Sequence, residues 1–294
     1  DPTQAYEQRF PSGRKITLFF YDGPIARVVA FEGLLSSGEH LANRLGGAFH
    51  DEPNRPQLVH IATDGESYGH HHRFGDMALA YALDTIESNQ LAKFTNYGEC
   101  LERHPPTHQV EIVEKTSWSC FHGIERWRSD CGCNSGGHPA WNQQWRAPLR
   151  DALDGLRDSL ALPFEKRGRE LLKDPWAARD DYLSVIHDRS TKNVEDLFAR
   201  QALRKLSTAE TITALKLLEL QRHALLMYTS CGWFFDELSG IETVQTMLFA
   251  GRAVQLGQDL FGDSLESEFM ERLASAQSNL PEYGDGRQIY EKFV

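Results

Sequence analysis

No stretch of the chain strings together 18 apolar residues, so nothing in it reads as a membrane-spanning helix. The opening, DPTQAYEQRF, lacks the basic and then apolar run of a secretory signal. Cysteine is scarce and odd in number, five in 294 residues, which excludes a small disulfide-stapled scaffold and fits reduced thiols in a cytoplasmic protein. Positive charge is in deficit: 31 Lys and Arg against 42 Asp and Glu leave a net charge of −11. Such a chain repels phosphate backbones and anionic lipid, so neither nucleic acid nor a membrane is expected as a partner. Internal repeats and low-complexity tracts are also lacking. What is present, 40% hydrophobic and 25% charged residues with a mean hydropathy of −0.48, describes an ordinary soluble globular protein. At about 150 residues per domain, the length suggests two domains. The chain opens on Asp1 rather than Met, as a processed or excised piece of a longer protein would.

Composition changes near residue 138. Residues 1–140 hold 14 of the 23 Gly and 8 of the 12 Pro, and ten of the twelve His lie at or before His138. Loops and chemistry are therefore expected in a first domain, 1–138, ahead of a helical domain, 139–294. In the first, KITLFFY (15–21), LVHIA (58–62) and LAKFTN (91–96) read as strands. A helix carrying Phe74, Met77, Ala78 and Tyr81 on one face lies between the last two. Unbroken apolar runs suit parallel strands covered on both faces, which predicts a β-α-β-α-β unit. Three strands cannot close an eight-stranded barrel, so the sheet is either small and open or completed by residues preceding Asp1. From Pro139 onward the pattern is helical, with N-terminal capping signals at Ser207/Glu210 and Asp263/Glu266. Ile212, Leu215, Leu218 and Leu225 read as one apolar face. The fold class expected is α/β followed by all-α.

Chemistry concentrates at three places. Two predicted strands end in Asp-Gly, at Asp22 and Asp64, and in parallel sheets such rims bind ligands. A turn or helix cap explains Asp22 well. It explains Asp64 less well, because TDGESYGHHHRFG crowds Glu66, Tyr68, His70, His71 and His72 beside it. A sugar site would use one carboxyl group as proton donor, with Tyr and His holding hydroxyl groups. A metal site would use Asp and two His around an activated water. In the second place, residues 114–141, Cys120, His122, Cys131, Cys133 and His138 form a soft-ligand set, the first four spaced C-x-H-x8-C-x-C and suited to structural zinc or to free buried thiols. Trp118, Trp127, Trp141 and Trp145 supply flat faces for a sugar ring or for the core. The third is YTSCGWFFDELSGIE (228–242), where Trp233, Phe234 and Phe235 precede Asp236 and Glu237.

These motifs resemble glycoside hydrolase family 57. TDGESYGHHH resembles that family's acid/base motif, in which an Asp-Gly-Glu ends a barrel strand, and the resemblance assigns the acid/base role to Asp64. TNYGECLERHPPTHQVEIVEKTSW (95–118) is similar to the next motif, an acidic residue before a His-Pro-Pro turn and then a Ser-Trp loop. YTSCGWF resembles the Ser-x-x-Trp-Phe helix end by which the helical domain of family amylases and branching enzymes lines the cleft. The closer likeness is to family-57-related bacterial proteins whose C-terminal portion is a domain of unknown function. The resemblance implies the C-terminal portion of an incomplete (β/α)7 barrel followed by a helical bundle. The family's opening His-Gln-Pro motif and its Glu nucleophile have no counterpart before Asp64, so an upstream segment of the same protein is expected as a partner. Glu32 and Asp22 do not match the nucleophile motif.

The resulting expectation is a retaining glycosidase or glucanotransferase acting on an α-glucan-like polysaccharide or oligosaccharide. Asp64 would be catalytic, with Asp22, Glu66, Tyr68, His70, Trp118 and Trp233 binding substrate. No cofactor is required for that chemistry; the cysteines are a candidate structural zinc site. Two alternatives stay open: a zinc-dependent, polysaccharide deacetylase-like hydrolase using Asp64 and two histidines, and a non-catalytic glycan-binding domain.

Overall fold

The structure, a computed structural model, describes residues 1–52, 54–262 and 265–294. It divides into two compact units, Asp1–Glu114 and Lys115–Val294. The change in composition near residue 138 suggested a later boundary. The Cys- and Trp-rich segment 115–138 instead goes with the helices, through bonds such as Trp127 Nε1 donating to Ser230 O at 3.1 Å.

The first unit contains β1 (Ala5–Arg9), β2 (Lys15–Phe19), α1 (Gly23–Phe31), α2 (Gly38–Gly46), α3 (Gly75–Ser88), α4 (Tyr97–Arg103) and β3 (His108–Gln109). Its sheet has the order β2-β1-β3. β1 and β2 pair as an antiparallel hairpin, while β1 and β3 pair in parallel through Tyr6↔His108 and Glu7↔Gln109. This corrects the expected sheet. Of the three strands foreseen, only 15–21 joins a ladder, and its partners are β1 and, through β1, β3. Among the described residues, 58–62 runs extended with isolated bonds and no ladder, Leu58 N–H to Thr3 O at 2.8 Å and Asp22 N–H to His60 O at 2.9 Å. Segment 91–96 is irregular; its last residue caps α4, with Asn96 Oδ1 accepting from Glu99 N–H at 3.0 Å. An apolar, β-branched run specifies an extended backbone, but a ladder also needs a neighbour in register.

Helix α3 forms as the sequence predicts, yet it buries a different face. Gly75, Ala78, Ala82 and Ile86 are buried, whereas Phe74, Met77 and Tyr81 are exposed. Close approach of α2 decides this: a Cβ on Gly38 would lie 2.7 Å from both Ala78 O and the Tyr81 side chain. Small residues therefore face the partner helix, and Ile25, Val29, Leu35 and Leu41 complete the core with Ala82 and Ile86. Each fully buried branched side chain there contributes about 1.5–3 kcal/mol.

The second unit is helical: α5 (Arg146–Gly168), α6 (Pro175–Asp181), α7 (Leu183–His187), α8 (Thr191–Gln201), α9 (Thr208–Leu226), α10 (Cys231–Phe234), α11 (Ile241–Phe261), α12 (Glu266–Leu273) and α13 (Gly286–Phe293). α9 starts with the expected capping box, Ser207 and Glu210 satisfying each other's backbone N–H groups. The cap foreseen at Asp263 lies outside the described residues. The buried stripe of α9 is Ala214, Leu217, Leu218, Gln221 and Ala224, while Ile212 and Leu225 are exposed. That helix is apolar around much of its girth, and periodicity could not rank its faces. Two cores result. One holds Trp145, Leu149, Leu153, Trp233, Met247 and Phe269; the other is centred on Phe164, Leu172, Tyr182 and Leu197. Among the described residues no helix is long and apolar enough to cross a membrane.

Candidate functional site

Asp22 and Asp64 each follow an extended segment, but they spend their carboxylates differently. Asp22 is the N-cap of α1, accepting from Ile25 N–H at 2.9 Å, with Pro24 in the first turn. Its role is local, as the turn-and-cap reading holds. Asp64 begins a short 3-10 turn, Gly65–Ser67, through its carbonyl alone; its side chain makes no capping bond and is exposed. Glu66 and His70 are exposed beside it.

The backbone beneath these side chains is tightly built. Ser67 N–H bonds Asp64 O at 3.1 Å, and the N–H groups of His70 and His71 bond Glu66 O at 3.2 and 2.8 Å. Tyr68, half-buried, shares a 3.0 Å hydrogen bond with Thr63 Oγ1. Gly69 takes φ +124°, which permits the reversal. The three consecutive histidines diverge. His72 Nε2 contacts Ala30 O at 3.1 Å, while His70 and His71 stand with ring centroids 5.0 Å apart. Among the described residues Asp64 and these histidines do not form a three-ligand metal group.

One titratable group beside this rim escaped the sequence reading. His60, in the middle of the expected strand, bonds Tyr97 Oη through Nδ1 at 3.0 Å and stands edge-on to Phe19. Burial holds its pKa below the ordinary histidine value, against its bond to the Phe20 backbone carbonyl and the charge of Asp22. Its Nε2 is buried and lacks a hydrogen-bond partner among the described residues. A histidine flanked by β-branched residues was the available signal.

In the second unit the tryptophans separate into two kinds. Trp145 and Trp233 are buried at 0% and 1% exposure, with indole N–H groups donating to Asp236 O and Arg146 O, each at 3.3 Å. Trp233 is thus a core residue and offers no face for a sugar ring, correcting that expectation. Its GWF context marks a helix end, and the packing of α11 against it, with Gly232 in close contact with Thr246, encloses the indole. Trp118 is the opposite, 83% exposed and tilted over Phe234 at 6.2 Å between centroids. Trp141 stacks on His138 at 3.7 Å and borders a groove with Asn142, Gln144, Gln277 and Asn279.

Asp236 and Glu237, which follow Trp233, Phe234 and Phe235 in the chain, are buried and internally satisfied. Asp236 accepts from Ser135 N–H at 2.9 Å and from its hydroxyl. Glu237 accepts from Asn279 N–H at 2.9 Å and from the hydroxyls of Ser239 and Ser278. They tie loops to the bundle.

Cys120, His122, Cys131 and Cys133 converge, their ligand atoms all within 4.8 Å of one another. Cys120 Sγ lies 3.8 Å from the sulfurs of Cys131 and Cys133, and Cys133 Sγ lies 3.6 Å from His122 Nδ1. Burial pushes the Cys120 thiol up. The backbone N–H groups of Arg126 and His122, with the neighbouring thiols, more than offset this and bring it down to about 7. For Cys131 burial wins and its thiol is raised. Cys100 and Cys231 lie outside the group.

Residues 141–294 match the family model described as Domain of unknown function (DUF3536), and the chain belongs to that family. Its fold is shared with an exo-type maltose-forming amylase from Pyrococcus sp. ST04, at a TM-score of 0.70 and 14% identity. The match covers 92% of this chain and 51% of the amylase, so the chain spans about half of that enzyme's length. No curated protein matches the chain.

Proposed function

We propose that this chain is part of a family-57-like glycoside hydrolase or glucanotransferase acting on α-glucan, with Asp64 as its general acid and base. The observation that carries the reading is the state of the Asp64 carboxylate. It stands at the end of an extended segment, on a backbone fixed by its own turn, and caps nothing. A shared fold with a maltose-forming amylase over 92% of the chain supports the choice of substrate class. In this reading Asp64 protonates the departing glycosidic oxygen and then removes a proton from water or an acceptor sugar, and Glu66, Tyr68 and His70 hold hydroxyl groups. A carboxyl group donates a proton best where water is excluded, and a bound glucan supplies that cover. The retaining nucleophile would come from outside these 294 residues.

The test is Asp64→Asn in the full-length protein, assayed on soluble α-glucan and on malto-oligosaccharides with products separated by chromatography. Turnover is expected to fall by about 10²- to 10⁴-fold with thermal stability unchanged. Unchanged turnover on every accepted glucan overturns the assignment. The exposure of Asp64 favours one second reading, a glycan-binding module, which predicts saturable glucan binding by calorimetry and no turnover in the wild type.

A further inference from the structure

We infer that Cys120, His122, Cys131 and Cys133 form a closed, four-coordinate structural site for a thiophilic divalent cation of the zinc class. The spacing of the ligand atoms carries this. A tetrahedron with metal–sulfur bonds of about 2.3 Å and a metal–nitrogen bond of about 2.0 Å has sulfur–sulfur edges of about 3.8 Å and sulfur–nitrogen edges of about 3.5 Å. The chain holds two sulfur–sulfur edges at 3.8 Å and one sulfur–nitrogen edge at 3.6 Å. A disulfide would draw one pair of sulfurs to about 2.05 Å, and free thiols packed as small apolar groups have no reason to adopt tetrahedral edges with an imidazole nitrogen.

The surrounding backbone turns tightly around the four ligands. Each arm of the site is a short Cys-x-ligand turn, Cys120 to His122 and Cys131 to Cys133. Gly132 takes φ +78° between the second pair, and Gly123 takes φ +82° just past the first. A Cβ at Gly123 would lie 2.3 Å from Lys115 O, so the loop closes there around a residue without a side chain. Such outer contacts orient ligands and tune them.

Charge supplies an independent argument. Arg126 and Arg146 are 5% and 0% exposed, and each has an Nε without a hydrogen-bond partner among the described residues. Arg146 donates to Cys133 O at 2.9 Å, and its closest carboxylate, Asp236, stands 4.0 Å away. The Arg146 guanidinium is thus held by a carbonyl and, beyond hydrogen-bond range, by Asp236, in a medium that penalises an unbalanced charge. Three thiolates, one neutral imidazole and a dication sum to −1, a charge opposite in sign to the guanidinium whose Nη1 bonds the carbonyl of Cys133. Binding releases three thiol protons to solvent and involves no oxidant. With four protein ligands no coordination position remains for water or substrate, so the ion holds the loop that carries Trp118 and does no chemistry.

The full chain, purified under reducing conditions without chelator, is tested by elemental analysis and by cobalt(II) substitution. About one zinc per chain is expected, and cobalt should give the intense absorption of a tetrahedral thiolate centre. Cys131→Ser should lower occupancy after dialysis at least tenfold, while Cys231→Ser, outside the group, should leave it at one. The wild-type measurements need no variant to fold. No zinc taken up when offered, an octahedral cobalt spectrum, or a Cys120–Cys131 or Cys120–Cys133 disulfide in the reduced protein would each overturn the inference. None of these outcomes bears on Asp64, so this inference and the glucan reading stand or fall separately.

Discussion

Two loops, 63–74 and 115–135, carry much of the polar chemistry of the chain, and they are built in opposite senses. In 63–74 the backbone satisfies itself, while Asp64, Glu66 and His70 are left facing water. In 115–135 several polar groups are drawn into the protein while Trp118 stays outside: Cys120 and Arg126 are buried, and Ser135 bonds the buried Asp236. The first arrangement leaves functional groups free for something that arrives from outside. The second consumes them in holding the protein together. Residue type alone does not distinguish the two, since both loops combine histidine with acidic or sulfur ligands; the direction of the side chains does.

Substitutions can break this contrast, beginning with the one at Asp64. Its loss should appear almost wholly in turnover, about 10²- to 10⁴-fold, with little change in melting temperature. Trp233→Ala should do the reverse, lowering unfolding free energy by about 3–5 kcal/mol in chemical denaturation, because it empties a fully enclosed indole site. Asp22→Ala sits between the loops in kind: as the cap of α1 it should cost about 1 kcal/mol of stability and leave glucan turnover within twofold of the wild type. A larger loss of turnover there would return Asp22 to the substrate-binding set. The smallest effect concerns Glu210, whose pKa falls to about 2 through its bond from Arg204 and those from Ser207. A carboxylate with a depressed folded-state pKa adds stability above its unfolded value near 4.5 and surrenders it as pH falls toward 2. A melting-temperature profile from pH 6 to pH 2 should therefore show a shallower acid limb in Glu210→Gln.

Much of this was legible in the residues. The β2 run, α3, the helical second half, the capping box at Ser207 and the Cys/His set follow from local rules: β-branched runs, 3.6-residue periodicity, reciprocal capping and soft-ligand spacing. What escaped depends on partners distant in sequence. The buried face of α3 departs from its periodicity because an apolar residue is free to lie outside when the neighbouring helix needs a small one, as Ala78 opposite Gly38 shows. Segment 58–62 has strand composition, but composition does not provide a neighbour. Trp118 and Trp233 are the same amino acid in equally aromatic settings, and only packing by α11 makes one a core residue and the other a surface platform. His60 was hidden in plain view, counted as part of a run rather than as an imidazole with a tyrosine beside it.

The contact at Gly38 reaches beyond its own helix. With no room for even a methyl group between residue 38 and the backbone of residue 78, α2 and α3 are clamped at a fixed separation, and everything strung between them hangs from two immovable posts. Lengthening or grafting within that span, for instance around 50–56, should be tolerated far better than any side chain at residue 38. A protein engineer wishing to retarget the Asp64 loop can rewrite the rope but must keep the posts.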